Sequence, residues 1–345
     1  LLFYYHGTAQ IHFQKKNWVA AWLAISGADE IIKKADCVSA ITSKHYSITG
    51  LYFTRINKLD SAQWAFLKAV EEAEKSDSKY ALGRAYGDVA ATFFKIGDIQ
   101  KSIEYDKKAV AVTRQLTDKA GIALMAAKMI NLSSAYVTVF ESTGNKKYLD
   151  SAKIIAEESL IAAKKGEDIK SILESYGILS KYYLVNRDYI QSNIYSDSII
   201  AKHIPGFTNY TMYIAYYNKS VAARENSDIN VSAKFADSSQ KYAALFNAQA
   251  EIKSLEIVYQ LNRKLNNTNS SLVALERMTM LKDSIFNIDK NKSISELEKK
   301  YNQAKNEKTI KELSLQKLVY ALLAIGGLLI AGLVAFYFRQ QSLKH

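Results

Sequence analysis

Two stretches of this chain align without a gap: YSITGLYFTRINKLDSAQWAFLKAV at 46–70 and YGDVAATFFKIGDIQKSIEYDKKAV at 86–110. Each opens on an aromatic residue, places a small residue four positions later (Gly50, Ala90) and an aromatic three further on (Phe53, Phe93). An Asn or Gly turn follows, and each closes on an alanine (Ala69, Ala109). A unit that recurs in this way cannot bury its apolar face alone and must stack on its copies, so a period near forty residues points to an array of helical hairpins. Second helices are expected to begin at Ala62, Ser102, Ala152, Ser192, Ser232 and Ser271, with a weaker seventh unit in front whose second helix starts near Ala21 and Trp22. The long step from Ser102 to Ala152 contains VFESTGNKKYLD, which reads as a longer first helix and a loop. The later turns NRDYIQS and NSDINVS supply a polar turn, an Asp and then an apolar residue as the next helix begins. One Pro and 14 Gly in 345 residues leave little helix-breaking punctuation, which favours helices with short connections.

These landmarks resemble the tetratricopeptide pattern, in which small residues sit where the two helices of a hairpin cross and aromatics fill the gap to the next hairpin. The expected fold is therefore all-α: a tetratricopeptide-like α-solenoid of six to seven helical hairpins over 1–285, wound as a right-handed superhelix. Its first helices should line a concave face open to a protein or peptide ligand. Polar residues expected on that face are Lys44, Arg84, Asp88, Asn131, Lys181, Asn218 and Arg224. The tyrosines Tyr182, Tyr183, Tyr210, Tyr213, Tyr216 and Tyr217 either line the groove or pack between repeats, packing being the simpler expectation. The carboxylate clamp that some tetratricopeptide cochaperones use needs Lys and Asn where this chain offers Ser47, Leu51 and Ala91.

Composition changes after the last hairpin. The stretch 286–317 has no Gly or Pro, and Ile294, Leu297, Tyr301 and Ala304 keep the 3, 4, 3 spacing of a two-stranded seam before Lys308 interrupts it. This reads as a coiled-coil-like linker helix. Residues 318–338 then form an uncharged run of 21, about 31 Å of helix, which matches a hydrocarbon core of about 30 Å. Within this transmembrane helix Gly327, Ala331 and Ala335 form a small-residue stripe through which two copies could meet as a homodimer. A basic tail, 339–345, closes the sequence.

The net charge of +12 is spread as lysine pairs such as Lys15 with Lys16, Lys107 with Lys108 and Lys299 with Lys300. Pairs near helix ends suit solvated faces and helix C-termini better than a nucleic-acid groove, and no DNA- or RNA-reading motif accompanies them. Cys37 is the single cysteine, so neither a disulfide framework within the chain nor a cysteine-rich metal site is expected. His6, His12, His45, His203 and His345 have no metal-ligand or nucleophile partner at a familiar spacing, and there is no phosphate-cradling glycine loop or nucleophile elbow. No catalytic residue, cofactor or metal is expected in this chain.

The succession of repeats near forty residues, the stretch LKDSIFNIDKNKSISELEKKYNQAKNEKTIKELSLQK, one span and a basic tail resembles the input half of bacterial membrane sensor histidine kinases and related membrane-bound regulators. The resemblance covers essentially the whole chain, and KDSIF followed by ELEKKY is its most telling piece. It implies repeats outside the cytoplasmic membrane, a cytoplasmic C-terminus, and a kinase or DNA-binding output domain beyond His345. One count opposes that orientation: Lys305, Lys308, Lys311 and Lys317 precede the span, against Arg339 and Lys344 after it. The alternative expectation is a tail-anchored adaptor whose repeats face the cytoplasm and recruit a partner protein to the membrane.

Overall fold

A residue in the left-handed region ends the first helix of every hairpin. Lys16, Asn57, Gly97, Gly144, Arg187, Ser227 and Asn266 all have φ between 53° and 88°. In six of the seven turns the next amide donates to a carbonyl five residues back: Asn17 to His12, Lys58 to Phe53, Asp98 to Phe93, Asp188 to Tyr183, Asp228 to Ala223 and Asn267 to Asn262, at 2.8–3.0 Å. That 6→1 bond stops the first helix. In several turns the donor residue also caps the second helix with its side chain, as Asp98, Asp188 and Asp228 accept from the amides of Lys101, Gln191 and Val231. Two residues thus reverse the chain, which is why so little glycine suffices.

The computed structural model describes residues 1–34, 39–204, 208–285 and the single position 332. The hairpins are α1 (Leu2–Gln14) with α2 (Trp18–Lys34), α3 (Ser39–Arg55) with α4 (Leu59–Lys75), and α5 (Lys79–Ile96) with α6 (Ile99–Thr113). They continue as α7 (Lys119–Thr143) with α8 (Lys146–Gly166), α9 (Ile169–Val185) with α10 (Tyr189–Ile200), and α11 (Asn209–Glu225) with α12 (Ile229–Ala244). The helix α13 (Ala248–Lys264) is followed by a helical stretch, 268–285, here α14. The described residues contain no strand. Two compact units divide the chain, Leu1–Leu275 and Glu276–His345. The expected linker, the span with its stripe at Gly327, Ala331 and Ala335, and the basic tail lie outside the described residues apart from position 332.

Second helices begin earlier than the repeat landmarks suggest, by three residues in most hairpins and by six at α8. Each landmark is instead the first small side chain of its helix turned onto the partner: Ala62, Ser102, Ala152, Ser192 and Ser232 are all at most 1 % exposed. Helix crossings are close there. Ser133, Ser180 and Ser220 on the first helices donate to the carbonyls of Ala152, Ser192 and Ser232 at 2.7–3.0 Å. At the corresponding place in α3, a Cβ on Gly50 would overlap the Phe66 ring. The expected aromatics close the gaps between neighbours, as Phe93 stacks on Tyr105 at 5.6 Å inside a cluster with Phe66 and Val89.

Odd-numbered helices from α1 to α11 also pack on the next odd helix, and this lays them side by side as one face of the first unit. The expected loop before Ala152 is absent. Both α7, at 25 residues, and α8, at 21, are longer than their neighbours and are joined by Gly144 and Asn145 alone. From crossing serine to left-handed residue, α7 runs Ser133 to Gly144, against Ser180 to Arg187 and Ser220 to Ser227, so it carries about one additional turn at its C-terminal end. Among the described residues α7 is the one helix long and apolar enough to cross a bilayer; half of its apolar window is buried among its neighbours, as a solenoid core helix requires.

Candidate functional site

The first helices of the fourth to seventh hairpins, α7, α9, α11 and α13, enclose a groove of about 360 Å³. A second cavity of about 650 Å³ continues from it and shares Phe94, Ser134, Glu174, Tyr210, Thr211, Phe246 and Asn247. Residues far apart in sequence meet here because the stack curves: Phe94 lies in the last turn of α5, while Phe246 and Asn247 lie in the turn that opens α13. Gly177 leaves the floor open, since a Cβ there would meet only Ile214 Cγ2, at 3.5 Å.

At one end of the groove Glu141 Oε1 accepts from Lys181 Nζ at 2.8 Å and from Lys253 Nζ at 2.9 Å. This ties α7, α9 and α13 together. Glu141 stands on the additional turn of α7; without that turn no residue of α7 would reach this position. Burial alone would raise the Glu141 carboxyl, but the two ammonium groups override it and hold it below the ordinary carboxylate range. Tyr213 and Tyr217 line the same wall, and burial raises both phenols.

At the other end Glu174 lies among aromatic rings. Its nearest cation is Lys170, at 3.8 Å and 65 % exposed, and burial raises its carboxyl despite that lysine. Phe94, Tyr210 and Phe246 present partly exposed rings, with Tyr210 and Phe246 4.8 Å apart between centroids. Protein packed around the Tyr210 hydroxyl, with Glu174 and Glu141 adding negative charge, pushes it up to about 12.

Of the seven polar residues expected on the concave face, Lys181 and Asn218 line the groove and Asn131 lines its continuation. Asn218 is 1 % exposed, and its amide donates to Ser180 Oγ at 3.0 Å, so it braces the serine crossing of the preceding hairpin. Lys44 lies over the Phe3 ring at 4.9 Å, and Arg224 pairs with its neighbour Glu225. Arg84 and Asp88 sit on α5 outside both cavities, with Asp88 Oδ2 buried and unpartnered. The tyrosines divide: Tyr210, Tyr213 and Tyr217 line the groove, whereas Tyr183 stacks on Tyr195 and Tyr216 on Tyr242. Tyr182 lies under Lys153. Sequence reasoning missed Glu141, Glu174, Lys253, Phe94 and Phe246. The insertion VFESTGNKKYLD, which contains Glu141, was the one signal available.

Away from the groove, His6 Nε2 approaches His45 Nδ1 at 3.4 Å, both rings buried, with Asp29 Oδ1 3.8 Å from His45 Nε2. No group of three or more His, Cys, Asp or Glu gathers as a metal site among the described residues.

The sequence matches no protein-family model and no curated protein. Solved structures do share the fold. Aspartyl phosphate phosphatase F from Bacillus subtilis superposes with a TM-score of 0.58 at 10% identity, over 81% of this chain and 70% of its own. A Rap protein complexed with Competence and Sporulation Factor gives 0.57 at 12% identity, over 83% and 76%. The Signal Transduction ATPase with Numerous Domains from Pyrococcus horikoshii, described as having a tetratricopeptide repeat sensor, gives 0.57 at 14% identity, over 84% of this chain and 43% of that one. The chain thus has the fold of a tetratricopeptide-like solenoid.

Proposed function

We propose that this chain is the sensing part of a membrane-anchored signal-transduction protein. A protein or peptide segment enters the groove of α7, α9, α11 and α13, and helix 286–317 passes the resulting change to a span at 318–338 and on to a histidine kinase or transcriptional-regulator output. The groove carries this reading, because it is a deep aromatic cleft with unequal charged ends, formed by the helices that such a stack turns inward. Solenoids of the same fold support it: one is described as a sensor, and another is complexed with a Competence and Sporulation Factor. In this reading the repeats lie outside the cytoplasmic membrane and the C-terminus inside. The seam and the stripe Gly327, Ala331 and Ala335 bring two copies together, and the chain catalyses nothing itself.

A photo-cross-linking residue placed at Gln249 in the groove and, separately, at Ile161, an exposed side chain of α8, tests the binding face in the source cell. Adducts at 249 but not at 161 support the reading; equal capture at both positions, or none at 249, overturns it. Inserting a proline near Lys300 should uncouple binding from output by breaking the linker helix, and unchanged signalling would contradict the relay.

A second reading, a tail-anchored adaptor that brings a partner to the membrane from the cytoplasm, draws on the lysines before the span. Labelling Cys37 with a membrane-impermeant thiol reagent, with a denatured control, separates the two. Protection in intact cells with full labelling after lysis would favour the adaptor.

A further inference from the structure

We propose that the Glu174 end of the groove receives a cationic side chain, arginine or lysine, of the bound peptide; this rests on the groove being a peptide site. The two carboxylates of the groove stand in opposite circumstances. Glu141 already holds two ammonium groups at 2.8 and 2.9 Å, so an incoming cation gains little there. Glu174 has Lys170 at 3.8 Å, at the limit of an ion pair, on a side chain that is mostly in solvent. Its own side chain is 20 % exposed, and both cavities open onto it.

The walls suit the same guest. Phe94, Tyr210 and Phe246 are 41 %, 39 % and 47 % exposed, and although Tyr210 and Phe246 pack on each other at 4.8 Å, each ring keeps part of its surface open. A guanidinium or ammonium can stack on such faces while donating to a carboxylate, and the two attractions reinforce each other where water is thinned. An anionic group would meet Glu174 at this end, where Lys170 already leans toward that carboxylate, and the already satisfied lysines at the other. Burial raises the Glu174 carboxyl, so its negative charge is held at a cost that a cation would offset.

The full chain in detergent micelles is titrated with fluorescein-labelled hexapeptide pools in which each position in turn is fixed as Arg, citrulline, Glu or Ala. Citrulline keeps the shape of arginine without its charge. At one or two positions the Arg pool is expected to bind about tenfold or more tightly than the citrulline pool, and this advantage should fall to within about twofold in Glu174→Gln. Equal binding of Arg and citrulline pools, preference for Glu, or an Arg advantage that survives Glu174→Gln overturns the inference. Should Glu174→Gln fail to fold, Phe246→Leu, which removes an exposed ring from the same end, takes its place: the Arg advantage should fall about threefold, and an unchanged advantage overturns the inference. Gly177→Phe, which fills the groove floor, separates the two readings. Binding without charge preference that Gly177→Phe abolishes leaves the groove standing and removes the cation site; binding that ignores Gly177→Phe, or no binding at all, removes both.

Discussion

At the scale of the residue, this fold repeatedly sets side chains in conformations or company that they do not favour alone. Arg187 and Ser227 hold a left-handed turn for which glycine has no steric penalty, at φ of 62° and 64°. Arg187→Gly and Ser227→Gly should each raise stability by about 0.5–1 kcal/mol in urea titrations, the relief of the Cβ clash exceeding the entropy lost by a more flexible unfolded chain. Glycines on helices divide by space: Gly50→Ala should cost about 1–3 kcal/mol because the Phe66 ring must move, whereas Gly177→Ala should be neutral or stabilise by up to about 1 kcal/mol. Asp106, 2 % exposed with Oδ1 unpartnered, is pushed up to about 7 by burial, although the Lys128 ammonium opposes this. Between the ordinary carboxylate value and about 7 the native state holds a proton that the unfolded state has lost, so this carboxyl makes stability fall as pH rises through that window. His6 acts with the opposite sign. Burial and the neighbouring His45 lower it to about 4, so the unfolded state takes up a proton first and stability falls as pH drops from about 6.5. The two slopes oppose each other between about pH 4 and 6.5, so thermal melts of Asp106→Asn should expose the His6 contribution as a stability that rises with pH over that window, and the variant should be more stable by about 2 kcal/mol or more at pH 8.

At the scale of the element, the additional turn of α7 has most consequence. It sets Glu141 beyond the point where the other first helices stop and lets one carboxylate meet lysines of α9 and α13, the second of them 112 residues away. These side chains are between 20 % and 41 % exposed, so their pairing is screened and modest. A double-mutant cycle on Glu141 and Lys253 should give a coupling of about 0.2–1 kcal/mol that weakens as salt is raised. A coupling of zero at low salt would show that the groove holds its curvature by packing alone. The same region shows how legible the elements were. Turn chemistry at Asp188 and Asp228 marked helix starts correctly, while the small residues at Ser192 and Ser232 marked the crossings three residues further on, because packing and capping select different positions of one turn.

At the scale of the whole molecule, a solenoid holds together through nearest neighbours, and the groove draws on α5 and the hairpins after it. Removing α1 and α2 should lower the unfolding amplitude and the denaturant slope while leaving peptide binding within about threefold of the full chain. Loss of binding on that truncation would mean that the N-terminal hairpins set the curvature on which the groove depends. Circular dichroism in urea and the fluorescein-peptide titration read the two quantities separately.

The sequence by itself determined the helical class, the period and the residues that turn the chain and cross the helices, because these are local: a cap, a left-handed residue and a small side chain act within one or two turns of their own helix. It also marked three residues that reach the groove or its continuation, Asn131, Lys181 and Asn218, because position within the repeat says which face a residue is on. Which of those faces meet was decided by the tertiary structure alone. Glu141 finds Lys253, Phe94 shares a cavity with Phe246, and His6 meets His45 through the accumulated rotation of one hairpin on the next. That rotation is set by side-chain volumes at every interface along the stack, a sum that no single stretch of sequence displays.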